Sequence, residues 1–109
     1  MEEPHGRVPA LVYARLVKQD VIINIEMEFD GAEAIEKDEI EYTIDYKSIT
    51  KKIISEIEEG NYNLIEKIAG DVMRIVIEDG RVLKATVKID KPGAVRYADS
   101  VSVTHTETR

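Results

Sequence analysis

The chain has no cysteine and no tryptophan, a single phenylalanine, two histidines and three prolines. Without cysteine there can be no disulfide, no thiolate metal site and no thiol nucleophile. His5 and His105 lie at opposite ends of the chain, so an imidazole-built transition-metal site lacks ligands, and no metal is expected. Neither glycine-rich phosphate cradle, G-x-G-x-x-G nor G-x-x-x-x-G-K-[ST], occurs. Positive charge is also scarce: 15 Lys and Arg face 22 Asp and Glu, a net charge of -7. Phosphate recognition needs a basic stripe, so neither a nucleic acid nor a membrane surface is an expected partner. No apolar run approaches the length of a bilayer span. The opening residues, MEEPHGRVPA, lack the basic start and apolar block of a signal peptide, so a cytoplasmic location is expected. Any chemistry must then run on Lys, Tyr, Asp, Glu and bound water.

What remains is an ordinary globular balance, 43% apolar and 34% charged over 109 residues, which suits one domain spanning 1–109. Residues 21–29, VIINIEMEF, alternate: Ile23, Ile25, Met27 and Phe29 share one face, and Asn24, Glu26 and Glu28 the other. That is the pattern of a half-buried antiparallel strand. Residues 31–38 read as a short helix or loop. From Tyr46 the period lengthens, with Ile49, Ile53, Ile54 and Ile57 at helical spacing between an Asp45 cap and a Gly60 stop. A second helix is expected over 64–78, with Leu64, Ile65, Ile68, Ala69, Val72, Ile75 and Val76 inward, before a turn at Asp79-Gly80. Alternation returns at 82–90, where Leu83, Ala85, Val87 and Ile89 point inward, and again at 95–106, with Val101 and Val103 inward. Only ALVYARLV can supply a first strand, which is expected to be short or irregular. The expected fold is α+β, a four-stranded antiparallel sheet with two helices on one face. Its two open edges invite pairing with another subunit.

Three residues stand out chemically, each with a plain structural alternative. Lys91 precedes Pro92-Gly93; proline forces the residue before it into extended geometry, which would fix the lysine at a strand end. A solvated turn lysine fits the same spacing. Glu66 lies three residues after Asn63, which suits a capping box, or a carboxylate aimed at paired N–H donors of a flat ligand. Tyr46 starts a helix, where tyrosine usually packs.

Together these residues resemble a known family. KQDVIIN (18–24), DYKSI (45–49), NLIEKIA (63–69) and KPGAVRYADSVSV (91–103) occur in order, as in the dihydroneopterin aldolase and dihydroneopterin triphosphate epimerase family. The likeness runs from about Lys18 to the C-terminus. It implies the tunnelling fold, in which subunits join their sheets into a barrel as homotetramers or homo-octamers with active sites between subunits. It further implies that Glu66 anchors a pterin through its 2-amino and N3 hydrogens and that Leu64 and Ile65 line the pterin slot. Lys91 would be the catalytic lysine, and Tyr46 would reach a neighbouring subunit's site. The substrate's own C6=N5 imine would accept the electrons of C–C cleavage, so no cofactor is implied. Aldolase and 2′-epimerase chemistry both remain open. KQDVIIN and RYADSVSV look closer to the epimerase subgroup. One departure stands out: the family's loop glutamate, five residues before the glutamine matching Gln19, falls on Ala14. A non-catalytic pterin-binding oligomer of the same fold is therefore the alternative.

Overall fold

The structure, a computed structural model, describes residues 7–30, 36–38, 45–93 and 100–109. The expected elements at 31–35 and the stretch AVRYAD at 94–99 lie outside the described residues.

Four strands form one antiparallel sheet in sequence order: β1 Arg7–Leu16, β2 Val21–Asp30, β3 Val82–Pro92 and β4 Ser100–Thr108. Two helices, α1 Tyr46–Glu59 and α2 Ile65–Ile77, fall between β2 and β3. The apolar periods explain where each element packs. Val21, Ile23, Ile25, Met27 and Phe29 of β2 and Val82, Ala85, Val87 and Ile89 of β3 are all buried on one face. Against them lie Ile49, Ile53 and Ile57 of α1 and the stripe from Ile68 to Val76 of α2. Neither isoleucine nor valine is a strong helix former, so burial of these stripes is what holds the helices. The two central strands supply most of the sheet's core because each is covered by helix and flanked by strand on both sides.

Several expectations need correcting. The first strand is neither short nor irregular: all ten residues of β1 pair with β2, from Arg7 opposite Asp30 to Leu16 opposite Val21. Ile54 is 39% exposed rather than inward, because Ile49, Ile53 and Ile57 form an i, i+4 stripe and residue 54 falls beside it. Leu83 is only half-buried while Val82 is fully buried. The ladder slips between Glu28 and Phe29, which pair with Lys84 and Val82 respectively. Leu83 is thus the extra residue of a β-bulge, and the inward register resets at Val82. Leu64 is 59% exposed, and Met73 joins the core in α2.

The helix ends are built as local chemistry directs. Asp45 caps α1, accepting from the Ser48 amide at 3.1 Å and the Ser48 hydroxyl at 2.9 Å. These Ser48 bonds, the amide bond foremost, hold its carboxyl below the ordinary value. Gly60 ends α1, its amide donating to the Ile57 carbonyl. The Asn63–Glu66 capping box does not form. Leu64 takes the cap position of α2 with no side-chain hydrogen bond, so Glu66 falls one residue too early to close the box. At the other end of the hairpin strand, Gly93 has φ 69°, a left-handed conformation that favours glycine. Among the described residues nothing would lie within 4 Å of a side chain there, and its conformation is what favours glycine.

Candidate functional site

Residues from three separate segments meet at one end of the sheet. β1 turns into β2 through Val17–Asp20, closed by the Asp20 amide donating to the Val17 carbonyl at 3.1 Å. Gln19 in this turn reaches across to the C-terminal end of α1. Its side-chain amide donates to the carbonyls of Ile57 at 3.0 Å, Glu58 at 3.3 Å and Gly60 at 2.7 Å. These carbonyls lie at the C-terminal end of α1, where the helix leaves acceptors short of partners; one amide serves all three, sharing the Ile57 carbonyl with the Gly60 amide. The same residue's main-chain carbonyl accepts from the Lys91 ammonium at 3.2 Å.

Lys91 pairs with Val101 near the end of β3 and is half-buried. It borders a recess of about 50 Å³ together with Gln19, Tyr62, Leu64, Ile65 and Ile68. The exposed Leu64 and half-buried Ile65 present an aliphatic wall. Glu66 follows directly, exposed in the first turn of α2. A carboxylate there is favoured by the helix dipole and, with no capping box, remains available to a ligand.

Tyr62 closes another side of the recess. Its hydroxyl donates to Asp71 at 2.8 Å, and its ring packs so tightly on Gly60 that a Cβ there would fall 2.5 Å from Cε2. Burial, reinforced by the hydrogen bond to Asp71 and its charge, pushes the phenol up to about 12. For Asp71, burial alone would push the carboxyl up; hydrogen bonds from Lys67 and Tyr62 outweigh it and hold the group below its ordinary value. Asp71 is therefore a charged acceptor and Tyr62 a neutral donor throughout the neutral range.

Of the residues singled out by sequence, Lys91, Leu64 and Ile65 meet in this recess, with Glu66 next to it. Tyr46 does not join them within one chain. It opens α1 half-buried, its ring edge-on to Phe29 at 6.0 Å and 61°. Phe29 is seven residues along β2 from Ile22, the partner of Asp90, which separates the two ends by roughly 20 Å. Ala14 is not in a loop: it pairs with Ile23 inside β1. The turn that follows is too short to carry the expected glutamate before Gln19. In the sequence Gln19 is only a landmark for the missing glutamate, and nothing in the residue type of Tyr62 marks it. The one available signal was their position, beside a helix-stopping glycine whose carbonyls need donors. Among the described residues, no three His, Asp or Glu side chains are grouped to hold a metal ion.

The recess thus joins an aliphatic wall to a lysine held by a backbone carbonyl, and the exposed Glu66 follows that wall in the chain. Residues 10–106 match the family model for FolB, dihydroneopterin aldolase; the chain belongs to the dihydroneopterin aldolase family. The dihydroneopterin triphosphate 2′-epimerase of Pseudomonas aeruginosa is 42% identical over 89 residues, 82% of this chain and 72% of that protein. The dihydroneopterin aldolase of Escherichia coli is 26% identical over 91 residues, 84% of this chain and 75% of that protein. The crystal structure of E. coli dihydroneopterin aldolase in complex with neopterin superposes with a TM-score of 0.74 at 26% identity, covering 80% of this chain and 76% of that one.

Proposed function

We propose that this protein is a pterin enzyme acting on 7,8-dihydroneopterin triphosphate or 7,8-dihydroneopterin, with 2′-epimerisation as its main activity and aldol cleavage as the second reading. The observation that carries the proposal is the Lys91–Gln19 contact beside the Leu64–Ile65 wall. It brings a proton-carrying group to the slot that the family resemblance assigns to the pterin. The greater identity to an epimerase, 42% against 26% for an aldolase, supports the order of the two activities.

In this reading the pterin lies in the slot, with Glu66 accepting the 2-amino and N3 hydrogens in a paired, charge-assisted contact. Removal of the C2′ hydroxyl proton breaks the C1′–C2′ bond. The bonding pair moves through C6 onto N5 of the imine, leaving an enamine and a two-carbon aldehyde, phosphorylated when the triphosphate is used. Lys91, with an ordered water, serves as the general acid–base. Protonation at C1′ completes the aldolase reaction, whereas addition to the opposite aldehyde face inverts C2′ and completes the epimerase reaction. Both outcomes require the fragments to be held together, which is the positional part of catalysis.

The recess of one chain, about 50 Å³, is small against the 300 Å³ or so of even a modest ligand pocket. Tyr46 lies at the far end of the same subunit. Both facts support a homotetramer or homo-octamer in which Tyr46 of one subunit completes the site of the next, each chain contributing as one domain. β1 and β4 are the sheet's outer strands, and Leu11, Tyr13 and Val17 along or just after β1 are exposed. Such edges suit strand pairing between subunits.

A specific observation favours a different, non-catalytic reading. Ala14 stands where the resemblance expects a glutamate, and it lies in a strand. A non-catalytic pterin-binding oligomer would have this feature. Anaerobic incubation with each substrate, followed by chromatography of the pterins, separates these readings. A C2′ epimer from the triphosphate supports the epimerase and hydroxymethyldihydropterin the aldolase. Bound but unchanged substrate overturns both in favour of the binding protein.

A further inference from the structure

The Lys91 side chain is long and flexible, and a catalytic ammonium must be held within a fraction of an ångström of its working position. Among the described residues its ammonium makes one hydrogen bond, to the Gln19 carbonyl at 3.2 Å, so the position of Gln19 bears directly on that of the ammonium. Gln19 in turn is anchored by the carbonyls of Ile57, Glu58 and Gly60. Its shortest side-chain bond, 2.7 Å, goes to Gly60. Gly60 is pressed by the ring of Tyr62. The phenol of Tyr62 is fixed at its other end by Asp71, two turns into α2. A continuous path of short contacts therefore runs from the α2 carboxylate to the ammonium beside the slot.

We propose that Tyr62 is a positioning residue: the Tyr62–Asp71 strut sets Gly60 and Gln19, and through them the place of the Lys91 ammonium. Neither member of the strut exchanges a proton in the neutral range, for the reasons given above. Tyr62 therefore contributes by location and takes no part in proton transfer. The same chain of contacts accounts for the glycine at 60. Its φ of -75° is open to any residue, so conformation does not call for glycine; a side chain there would have to displace the Tyr62 ring. The kinetic consequence rests on the pterin-enzyme reading; the structural consequence does not.

The two are tested separately. In protein labelled with ¹³Cε-lysine, the Lys91 ε-methylene signal is assigned by its loss in Lys91→Met. It is then compared between wild type, Tyr62→Phe, which keeps the ring and removes the hydroxyl, and Gly60→Ala, which displaces the ring. The expected result is two inequivalent ε-protons in wild type that shift and merge in both variants. An unchanged Lys91 signal in folded Tyr62→Phe overturns the proposal, whatever the enzyme's activity. In parallel, kcat of Tyr62→Phe should fall about tenfold while KM stays within about twofold, since the binding groups Glu66, Leu64 and Ile65 are untouched. A purely structural tyrosine would lower the melting temperature and leave the kcat of the folded fraction unchanged, which also overturns it. If wild type turns over no pterin, the functional reading fails, and the lysine signal still decides the role of Tyr62.

Discussion

On the proposed function Lys91 and Glu66 divide the work of the site, and their variants should fail in different ways. Lys91→Met removes the acid–base group and leaves the slot; turnover should drop by about 10² to 10⁴ with pterin affinity retained. Glu66→Gln removes the charged acceptor for paired N–H donors. Pterin binding, followed by fluorescence titration, should be lost, while stability changes by less than about 1 kcal/mol, because no capping box is broken. Tyr62 allows a test by pH. Its phenol titrates near 12 in the fold against an ordinary 10, so the folded state holds the proton more tightly than the unfolded chain. The resulting stabilisation is complete below pH 10 and is lost as the pH rises towards 12. Denaturant titrations should therefore show wild type more stable than Tyr62→Phe by about 1 kcal/mol at neutral pH, with the gap closing between pH 10 and 12. A gap that persists at pH 12 would mean that burial and the contact with Asp71 do not hold the proton on the Tyr62 phenol as described.

Among the secondary-structure elements, α1 depends most on its burial and its two ends. Ile53 is fully buried at the centre of its stripe, and Ile53→Ala should cost about 2–5 kcal/mol in equilibrium unfolding. Ile54→Ala, one residue away and partly exposed, should cost far less. The contrast between neighbours checks the observed face. Most of this was legible in the sequence: the isoleucine spacing, the Asp45 cap and the Gly60 stop all lie within one segment, where local rules apply. β1 was harder. Leu11 and Tyr13 face away from the helices and Val12 and Leu16 towards the core side, so apolar residues fall on both faces and the alternation disappears. The bulge at Leu83 left no trace, since it arises from pairing with β2 rather than from its own segment. The site was legible only in part for the same reason. Lys91 and Glu66 carry chemistry in their residue types, but Gln19 and Tyr62 act through contacts with α1 and α2, up to 41 residues away in the chain for Gln19 and Gly60.

On the proposed function, the whole molecule leaves its chemistry unfinished within one chain. Lys91 and Tyr46 occupy opposite ends of the sheet, and a site that uses both must draw them from different subunits. Light scattering should accordingly find a tetramer or octamer, and a charged residue at Leu11 on the outer strand should weaken it. Subunit complementation tests the central claim most directly. Tyr46→Phe and Lys91→Met, each expected to be nearly inactive alone, are mixed under conditions that exchange subunits, and epimerisation is measured. Each mixed interface can pair an intact Lys91 with an intact Tyr46, so about a quarter of wild-type activity should return on random assembly. No recovery in oligomers proven to be mixed would contradict the account, because it would place both groups in the same chain's site.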